Sequence, residues 1–399
     1  MNPSLLVRLF LGWIGARAVL HNGWWLLASL FMVVDARLTP AELLIIAAAQ
    51  GVAAVIFEVP AGVFADAISR KGAIVIAHAL MGTAMITTGL FGSFWPLLLS
   101  QMLWGISWTF SSGADVAWIT DELDRPAMIT SVLTRQARWQ LAGAAVGMIT
   151  LGGLGILVGR QTGIVVAGVA MLVLGVVVAV TFPERNFTPV RTGHLRAALG
   201  IARRGARLAL RDRTLFALVI VTVLVNGAAD SFGRIYPVRL AELGFPSTRD
   251  GTLWFTLLGI AGLITGALAL LAVERRIEGE RGARTALIMA CGAAAAGLTL
   301  LALAPNLTWA VLAVLIASGA ALPLIRTVTT IWVNRRATSD VRATVHSFLA
   351  QAEYVGEIAC TSVLAAIAGL AGLTGALLPA AGLFLISILV LTARNDNAP

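Results

Sequence analysis

"GVFADAISRK", residues 62–71, sets an aspartate, an arginine and a lysine between two long apolar runs. The surroundings give this cluster its meaning. Of the 399 residues, 58% are hydrophobic and only 12% are charged, whereas soluble domains carry about 25% charged residues. A run of roughly 20 apolar residues crosses a bilayer as a helix, so a short charged stretch between two such runs reads as a turn at the membrane surface. Strands are excluded, because barrel strands alternate apolar and polar residues over about ten positions and these runs are longer and continuously apolar.

Working outward from that turn, twelve spans can be placed, at 10–34, 42–64, 72–92, 96–119, 138–158, 161–183, 214–238, 251–273, 285–304, 308–333, 344–368 and 372–392. Six precede residue 184 and six follow residue 213. The expected fold is an all-α membrane protein of twelve transmembrane helices in two pseudo-symmetric six-helix bundles, 1–183 and 214–399, joined by a basic linker over 184–213. A weak internal match supports the division: "TSVLTRQARW" (130–139) aligns with "VHSFLAQAEY" (345–354), placing Gln136-Ala137 over Gln351-Ala352 and Trp139 over Tyr354. Repeats of this kind build many secondary transporters. In the linker, Arg196, Arg203, Arg207 and Arg211 recur at helical spacing beside an apolar stripe. Both an amphipathic helix on an anionic leaflet and a solvated basic segment fit that pattern.

The formal net charge of +9 is distributed one-sidedly. With the amino end inside, the inner loops hold Arg70, Lys71, Arg125, Arg135, Arg138 and the linker arginines, while the outer loops hold only Arg37, Arg160, Arg239 and Arg249. The positive-inside rule then places both termini in the cytoplasm. The preference for arginine over lysine, with abundant alanine and glycine, points to a bacterial plasma membrane. The basic balance is a topology signal and no nucleic-acid footprint. The amino-terminal run carries Arg8, Arg17 and His21, so it reads as the first span and no cleavable leader. Cys291 and Cys360 lie in apolar segments as small core residues, so neither redox chemistry nor a metal site is expected. Phosphate-loop and catalytic-triad motifs are absent; the chain is expected to be no enzyme and to need no cofactor.

The turn resembles the loop between spans two and three of the major facilitator superfamily. Gly62, Asp66, Arg70 and Lys71 match its signature, and Ser69 stands where glycine is frequent. The resemblance implies alternating access by two rocking bundles, with this loop bracing the second helix against the eleventh when the cytoplasmic side is closed. Ala61 and Gly62 would let helix ends approach, and Asp66 would accept from the N–H groups at a neighbouring helix start. Glu58, Gly62, Asp66, Arg70, Lys71, Asp115 and Arg138 are the expected cytoplasmic gate; a plain positive-inside turn is the alternative. "FEVPAG" (57–62) and "TFSSGADVAWITDEL" (109–123) resemble drug-efflux-like branches. Gln101, however, stands where proton antiporters of the family commonly carry arginine, and Met148 where their fifth span commonly carries proline.

An ionisable side chain inside a span costs at least about 2.5–3.5 kcal/mol on insertion scales, so each one marks a partner, a water-filled cavity or a function. Span one carries Trp13, Arg17 and His21 at four-residue steps, with Trp24 and Trp25 beyond. Span four carries Gln101, Trp104, Trp108, Ser111 and Asp115 at steps of three or four. Asp115 can belong to that stripe or pair with Arg135 or Arg138 at the inner gate. Span seven carries Thr222, Asn226, Asp230 and Arg234 at steps of four, so Asp230 and Arg234 can neutralise each other, or Asp230 can carry a proton. The resemblance puts spans one, four, seven and ten around a central cavity. Arg17, Trp24, Gln101, Trp104, Trp108, Asn226 and Arg326 are thus the expected substrate-cavity residues, whose aromatic faces suit a lipophilic or cationic ligand; ordinary helix packing accounts for the same stripes. Glu353 and Glu357, one turn apart in span eleven, can share a proton. With Asp230 and with His21, whose type titrates nearest neutrality, they are the proton-coupling candidates.

The expected function is secondary active transport by a monomer, specifically proton-coupled efflux of a small lipophilic compound. Uptake of a nutrient or organic anion by symport, clamped by Arg17 and Arg326, is one alternative. A non-transporting membrane sensor or lipid-handling protein is another.

Overall fold

A computed structural model describes residues 3–189, 213–246, 249–274, 276–277, 279–336 and 342–393. Helix is the regular structure among them, as lipid demands of a chain that must satisfy its backbone hydrogen bonds within each segment. The helices of the amino-terminal half are α1 (Pro3–Leu30), α2 (Pro40–Ala67), α3 (Arg70–Leu90), α4 (Phe94–Ser111), α5 (Ala114–Leu123), α6 (Pro126–Val158) and α7 (Arg160–Thr181). Those of the other half are α8 (Arg213–Glu242), α9 (Arg249–Glu274), α10 (Gly279–Leu303), α11 (Leu307–Val314), α12 (Leu322–Arg336) and α13 (Arg342–Thr392). Wider π turns extend α1 over Phe31–Asp35 and join α11 to α12 over Leu315–Ala321. The basic stretch 190–212, with its proposed amphipathic pattern, lies outside the described residues.

Ten helices among the described residues are long and apolar enough to cross a membrane. The number falls below the twelve expected spans because α4, rich in tryptophan and serine and carrying Gln101, is too polar to count and because two expected spans run on as α13. The span expected at 96–119 is broken: α4 stops at Ser111, Gly113 adopts φ 80°, and α5 restarts at Ala114 for ten residues. The spans expected at 344–368 and 372–392 follow one another as α13, interrupted only at Gly372 with φ 71° and ψ −167°. Both breaks use the left-handed region that glycine enters without a Cβ penalty.

The described residues cluster into two compact units. Of the described residues, one unit takes those within 3–37, 49–189 and 246–257; the other takes those within 38–48, 213–245 and 258–393. In the first unit, Phe10, Trp13, Ile74, Trp118 and Phe182 form a buried core. Trp118 stacks on Phe182 at 4.2 Å and donates its indole N–H to the Pro183 carbonyl at 2.8 Å, satisfying the polar end of a buried aromatic. Trp13 donates to His78 Nε2 at 3.1 Å, and His78 Nδ1 lies 2.7 Å from the Ile74 carbonyl. Since Nε2 accepts, Nδ1 carries the hydrogen and both ring nitrogens are used.

The same glycine contact holds α1 against α6 in one unit and α8 against α13 in the other. A Cβ on Gly147 of α6 would lie 2.1 Å from the Val19 carbonyl of α1, and one on Gly23 would lie 2.4 Å from the Gly147 carbonyl. In the second unit, a Cβ on Gly356 of α13 would lie 2.1 Å from the Val223 carbonyl of α8, and one on Gly227 would lie 2.5 Å from the Gly356 carbonyl. The contacting stretches read "VLHNG" (19–23) and "VLVNG" (223–227). Gly147 therefore corresponds to Gly356, which is not the register of the 130–139 and 345–354 match; the sequence match is six residues out of step with the backbone contacts.

Candidate functional site

Two cavities open beside these crossings, one within each unit. The first, about 360 Å³, is lined by Arg17, His21, Asn22, Trp108, Ser111 and Asp115, among others. The second, about 520 Å³, is lined by Thr222, Asn226, Arg326, Thr329, Thr330 and Glu353, with Val221, Val225, Ile325, Val333, Leu349 and Ala350 as its apolar wall.

In the first unit α1 and α4 present matching stripes. Arg17 donates to Ser111 Oγ at 2.7 Å, and its guanidinium approaches the Asp115 carboxylate at 3.9 Å. It also lies over the Trp108 ring at 5.5 Å and the Trp13 ring at 5.8 Å. Asp115 sits in the first turn of α5 and accepts the Val116 N–H at 2.7 Å, a placement the positive end of a helix favours. The break at Gly113 thus turns Asp115 toward Arg17, and its partner is Arg17 where the sequence allowed Arg135 or Arg138; both of those arginines are exposed on α6. His21 stacks on Trp104 at 5.4 Å, and Trp104 stacks in turn on Trp108 at 5.9 Å and on Trp24 at 6.3 Å. Of this column, His21 and Trp108 reach the cavity, and Trp108 keeps 42% of its surface exposed. Trp24 and Gln101 are fully buried, and Trp104 is half-buried; these three stand behind the lining as its support.

The second unit concentrates charge. Asp230 and Arg234 approach to 4.0 Å on successive turns of α8, with the Arg234 side chain 2% exposed. Asp230 Oδ2 is buried without a hydrogen-bond partner. Arg326 of α12 also acts electrostatically on Asp230 and on Glu353, and Glu357 lies within electrostatic reach of Asp230, Arg234 and Glu353. Three carboxylates and two guanidiniums from α8, α12 and α13 therefore share one field. Arg326, expected among the substrate-cavity residues, is exposed and lines the second cavity.

The two cavities correspond position by position. On the register of the two "NG" stretches, Arg17, Ala18, His21 and Asn22 fall on Val221, Thr222, Val225 and Asn226, and all eight line their own cavity. Asn22 Nδ2 donates to the Ala18 carbonyl at 2.8 Å, and Asn226 Nδ2 donates to the Thr222 carbonyl at 2.9 Å. Asn22 and the threonines Thr329 and Thr330 escaped the sequence reading, which weighed charges and aromatics first; the repeated "NG" was the signal for Asn22.

The charged turn is built differently from the expectation. Ser69 caps α3 by accepting the Gly72 N–H at 2.7 Å and donates its hydroxyl to Glu184 Oε2 at 2.6 Å. Glu184 Oε1 accepts the Lys71 N–H at 2.9 Å. Arg70 is held by the Asp121 carboxylate and donates to the Ala117 carbonyl at 3.1 Å, while Asp66 lies 3.8 Å from it. The start of α3 is thus capped by Ser69 and Glu184; the start of the eleventh expected span, against which Asp66 was expected to act, adjoins residues outside those described. Gly62 has open space around its Cβ position among the described residues, so no close approach requires it. Glu58 is half-buried in α2, and Arg138 is exposed.

Among the described residues, no group of three or more His, Cys, Asp or Glu side chains is arranged to hold a metal ion. A family model described as the Major Facilitator Superfamily matches residues 13–361. Among solved structures, the chain is similar to the nucleoside transporter NupG, with 15% identity, 100% coverage of both chains and a TM-score of 0.76. It is also similar to a POT family transporter in complex with 5-aminolevulinic acid, with 12% identity, 97% of this chain and 95% of that chain covered and a TM-score of 0.73. A bacterial homolog of the human lysosomal transporter Spinster, in an inward-facing and occupied conformation, matches with 14% identity, 98% and 96% coverage and a TM-score of 0.72. At these identities the likeness shows the fold alone. No curated protein sequence matches the chain.

Proposed function

The chain belongs to the Major Facilitator Superfamily, and from that membership we propose that it is a proton-coupled exporter of a small lipophilic compound, working by alternating access. It acts as a monomer in a bacterial plasma membrane with both termini cytoplasmic, its moving bodies being the six-helix bundles 1–183 and 214–399 on either side of the basic linker.

One observation carries the coupling: the charge group of the second unit does not balance. Asp230, Glu353 and Glu357 oppose Arg234 and Arg326, which leaves one negative charge beside the partly buried Asp230 and Glu357. A single proton neutralises the group, and burial makes that neutrality worth having. Asp230 has one oxygen free of hydrogen bonds and Glu357 lies within its electrostatic reach, so the two are the proton carriers of this reading. In the first unit, the Trp108 face and the Arg17 edge offer the transported compound an aromatic contact and a hydrogen-bonding cation.

The coupling is tested in proteoliposomes carrying an internal pH dye, with a panel of lipophilic compounds applied outside. Wild type is expected to show compound-driven proton flux, whereas Asp230→Asn and Glu357→Gln are expected to keep compound exchange and lose the flux. Unchanged proton flux in both variants refutes the assignment. A second reading, uptake of an organic anion by symport, is favoured by Arg326, which faces the larger cavity without a salt bridge among the described residues. Vesicles of opposite orientation separate the two by the direction of accumulation.

A further inference from the structure

We infer that the cavity of the second unit is a receptor for a zwitterion with an apolar body, the anionic end of the ligand meeting Arg326 and the cationic end meeting Glu353. The inference deepens the transport reading and rests on it for the statement that the bound compound is carried.

Arg326 on α12 and Glu353 on α13 line the same cavity. They feel each other electrostatically, yet neither forms a salt bridge within 4.0 Å among the described residues. Both side chains are exposed to the cavity, and opposite charges left unpaired in one recess each retain a demand for a counter-charge. A ligand carrying one charge meets half of that demand and leaves the other group opposed. A ligand carrying both meets it entirely, with charge-assisted hydrogen bonds at each end.

The remaining lining agrees with such a ligand. Thr222 is 5% exposed, lines the cavity, and has a hydroxyl without any hydrogen-bond partner. A buried hydroxyl in that condition wants an acceptor or donor from the occupant, and a carboxylate on Arg326 supplies one. Asn226, Thr329 and Thr330 add polar edges. Val221, Val225, Ile325, Val333 and Leu349 form an apolar wall that would exclude a small hydrophilic zwitterion in favour of one with a hydrocarbon or aromatic side chain. The volume, about 520 Å³, lies within the range of roughly 300–1,000 Å³ of small-molecule sites. The cavity of the first unit lacks this arrangement, because its opposite charges, Arg17 and Asp115, approach to 3.9 Å and Arg17 also donates to Ser111.

The experiment measures equilibrium binding to the purified full-length protein in detergent, without a proton gradient. Two ligand sets serve as probes. One is phenylalanine with its amide, which keeps only the positive charge, and 3-phenylpropionate, which keeps only the negative. The other is the dipeptide Phe-Phe with its C-terminal amide and its counterpart lacking the amino group. At least one zwitterion is expected to bind tenfold or more tighter than both of its single-charge analogues. Glu353→Gln is expected to abolish the advantage over the anion, and Arg326→Gln the advantage over the cation. Glu353→Asp and Arg326→Lys keep the charges and are expected to keep the order of affinities, which separates charge from folding damage. The proposal is overturned if both zwitterions fail to bind, if each binds no better than one of its analogues, or if the preference survives both neutralising variants. The proton-flux assay stands apart: loss of coupling with the zwitterion preference intact counts against the transport mechanism alone.

Discussion

Two histidines show how little residue type alone says about role. His78 is 1% exposed and both ring nitrogens are engaged, one accepting from Trp13 and the other directed at the Ile74 carbonyl. His21 lies at the edge of a cavity and stacks on Trp104, with Nδ1 lacking any hydrogen-bond partner. The first is a packing residue that joins α1 to α3; the second is placed to meet an occupant. His78→Leu leaves the buried Trp13 N–H unsatisfied and is expected to lower stability by about 1–3 kcal/mol. His21→Leu removes no hydrogen bond of that kind. Thermal melts in detergent are expected to show a lower midpoint for the first variant and a smaller change for the second, while compound binding is expected to respond to the second alone. A larger melting loss in His21→Leu than in His78→Leu would reverse the assignment.

At the scale of helices, glycine placement decides which elements touch. Gly147 against Val19 and Gly356 against Val223 leave no room for a methyl group, since each Cβ would lie 2.1 Å from a carbonyl oxygen. The obstructing atom is backbone, so relief requires a helix to move. Gly147→Ala and Gly356→Ala are each expected to destabilise by about 1–3 kcal/mol, the usual range for overpacking. Gly153 lies on the same helix as Gly147 with nothing within 4 Å of its Cβ position. Gly153→Ala is expected to be neutral or to gain up to about 1 kcal/mol from helix propensity. Equal melting temperatures for the Gly147 and Gly153 variants would remove the crossing as a determinant. The break between α4 and α5 belongs to the same scale, because Gly113 with φ 80° ends one helix and starts the next with Asp115 in its first turn. Apolar content across 96–119 suggested one continuous span; the helix instead ends at Ser111 and restarts at Ala114 across Gly113.

For the whole molecule, orientation follows from charge that no single helix holds. Along the sequence, arginines gather in alternate connections, around the turn 62–71 and the linker 184–213, and thin out in the others. If those connections are cytoplasmic, a fluorescent-protein fusion after Arg185 is expected to be bright and an alkaline-phosphatase fusion there inactive, with the reverse pattern for fusions after Arg37. The opposite result would invert the topology and, with it, the direction assigned to transport. The turn itself was readable as a surface feature, yet its construction was not. Glu184, which ties Ser69 and the Lys71 N–H to the end of α7, lies 115 residues from Ser69 and shares no local pattern with it.

The amino-acid sequence by itself determined that this chain is a bundle of membrane helices with a charged turn after the second, because a span must bury apolar side chains and close its backbone hydrogen bonds within its own length. It also carried, in "VLHNG" and "VLVNG", the register of its repeat. Only the tertiary structure decided that Asp115 faces Arg17, that Trp24 and Gln101 stand behind the cavity wall while Trp108 forms it, and that Arg326 and Glu353 face one space unpaired. Those relations depend on how far each helix is rotated and shifted against its neighbours, and a rotation of about 100° per residue moves a side chain from cavity to core without altering the apolar content that defines the span.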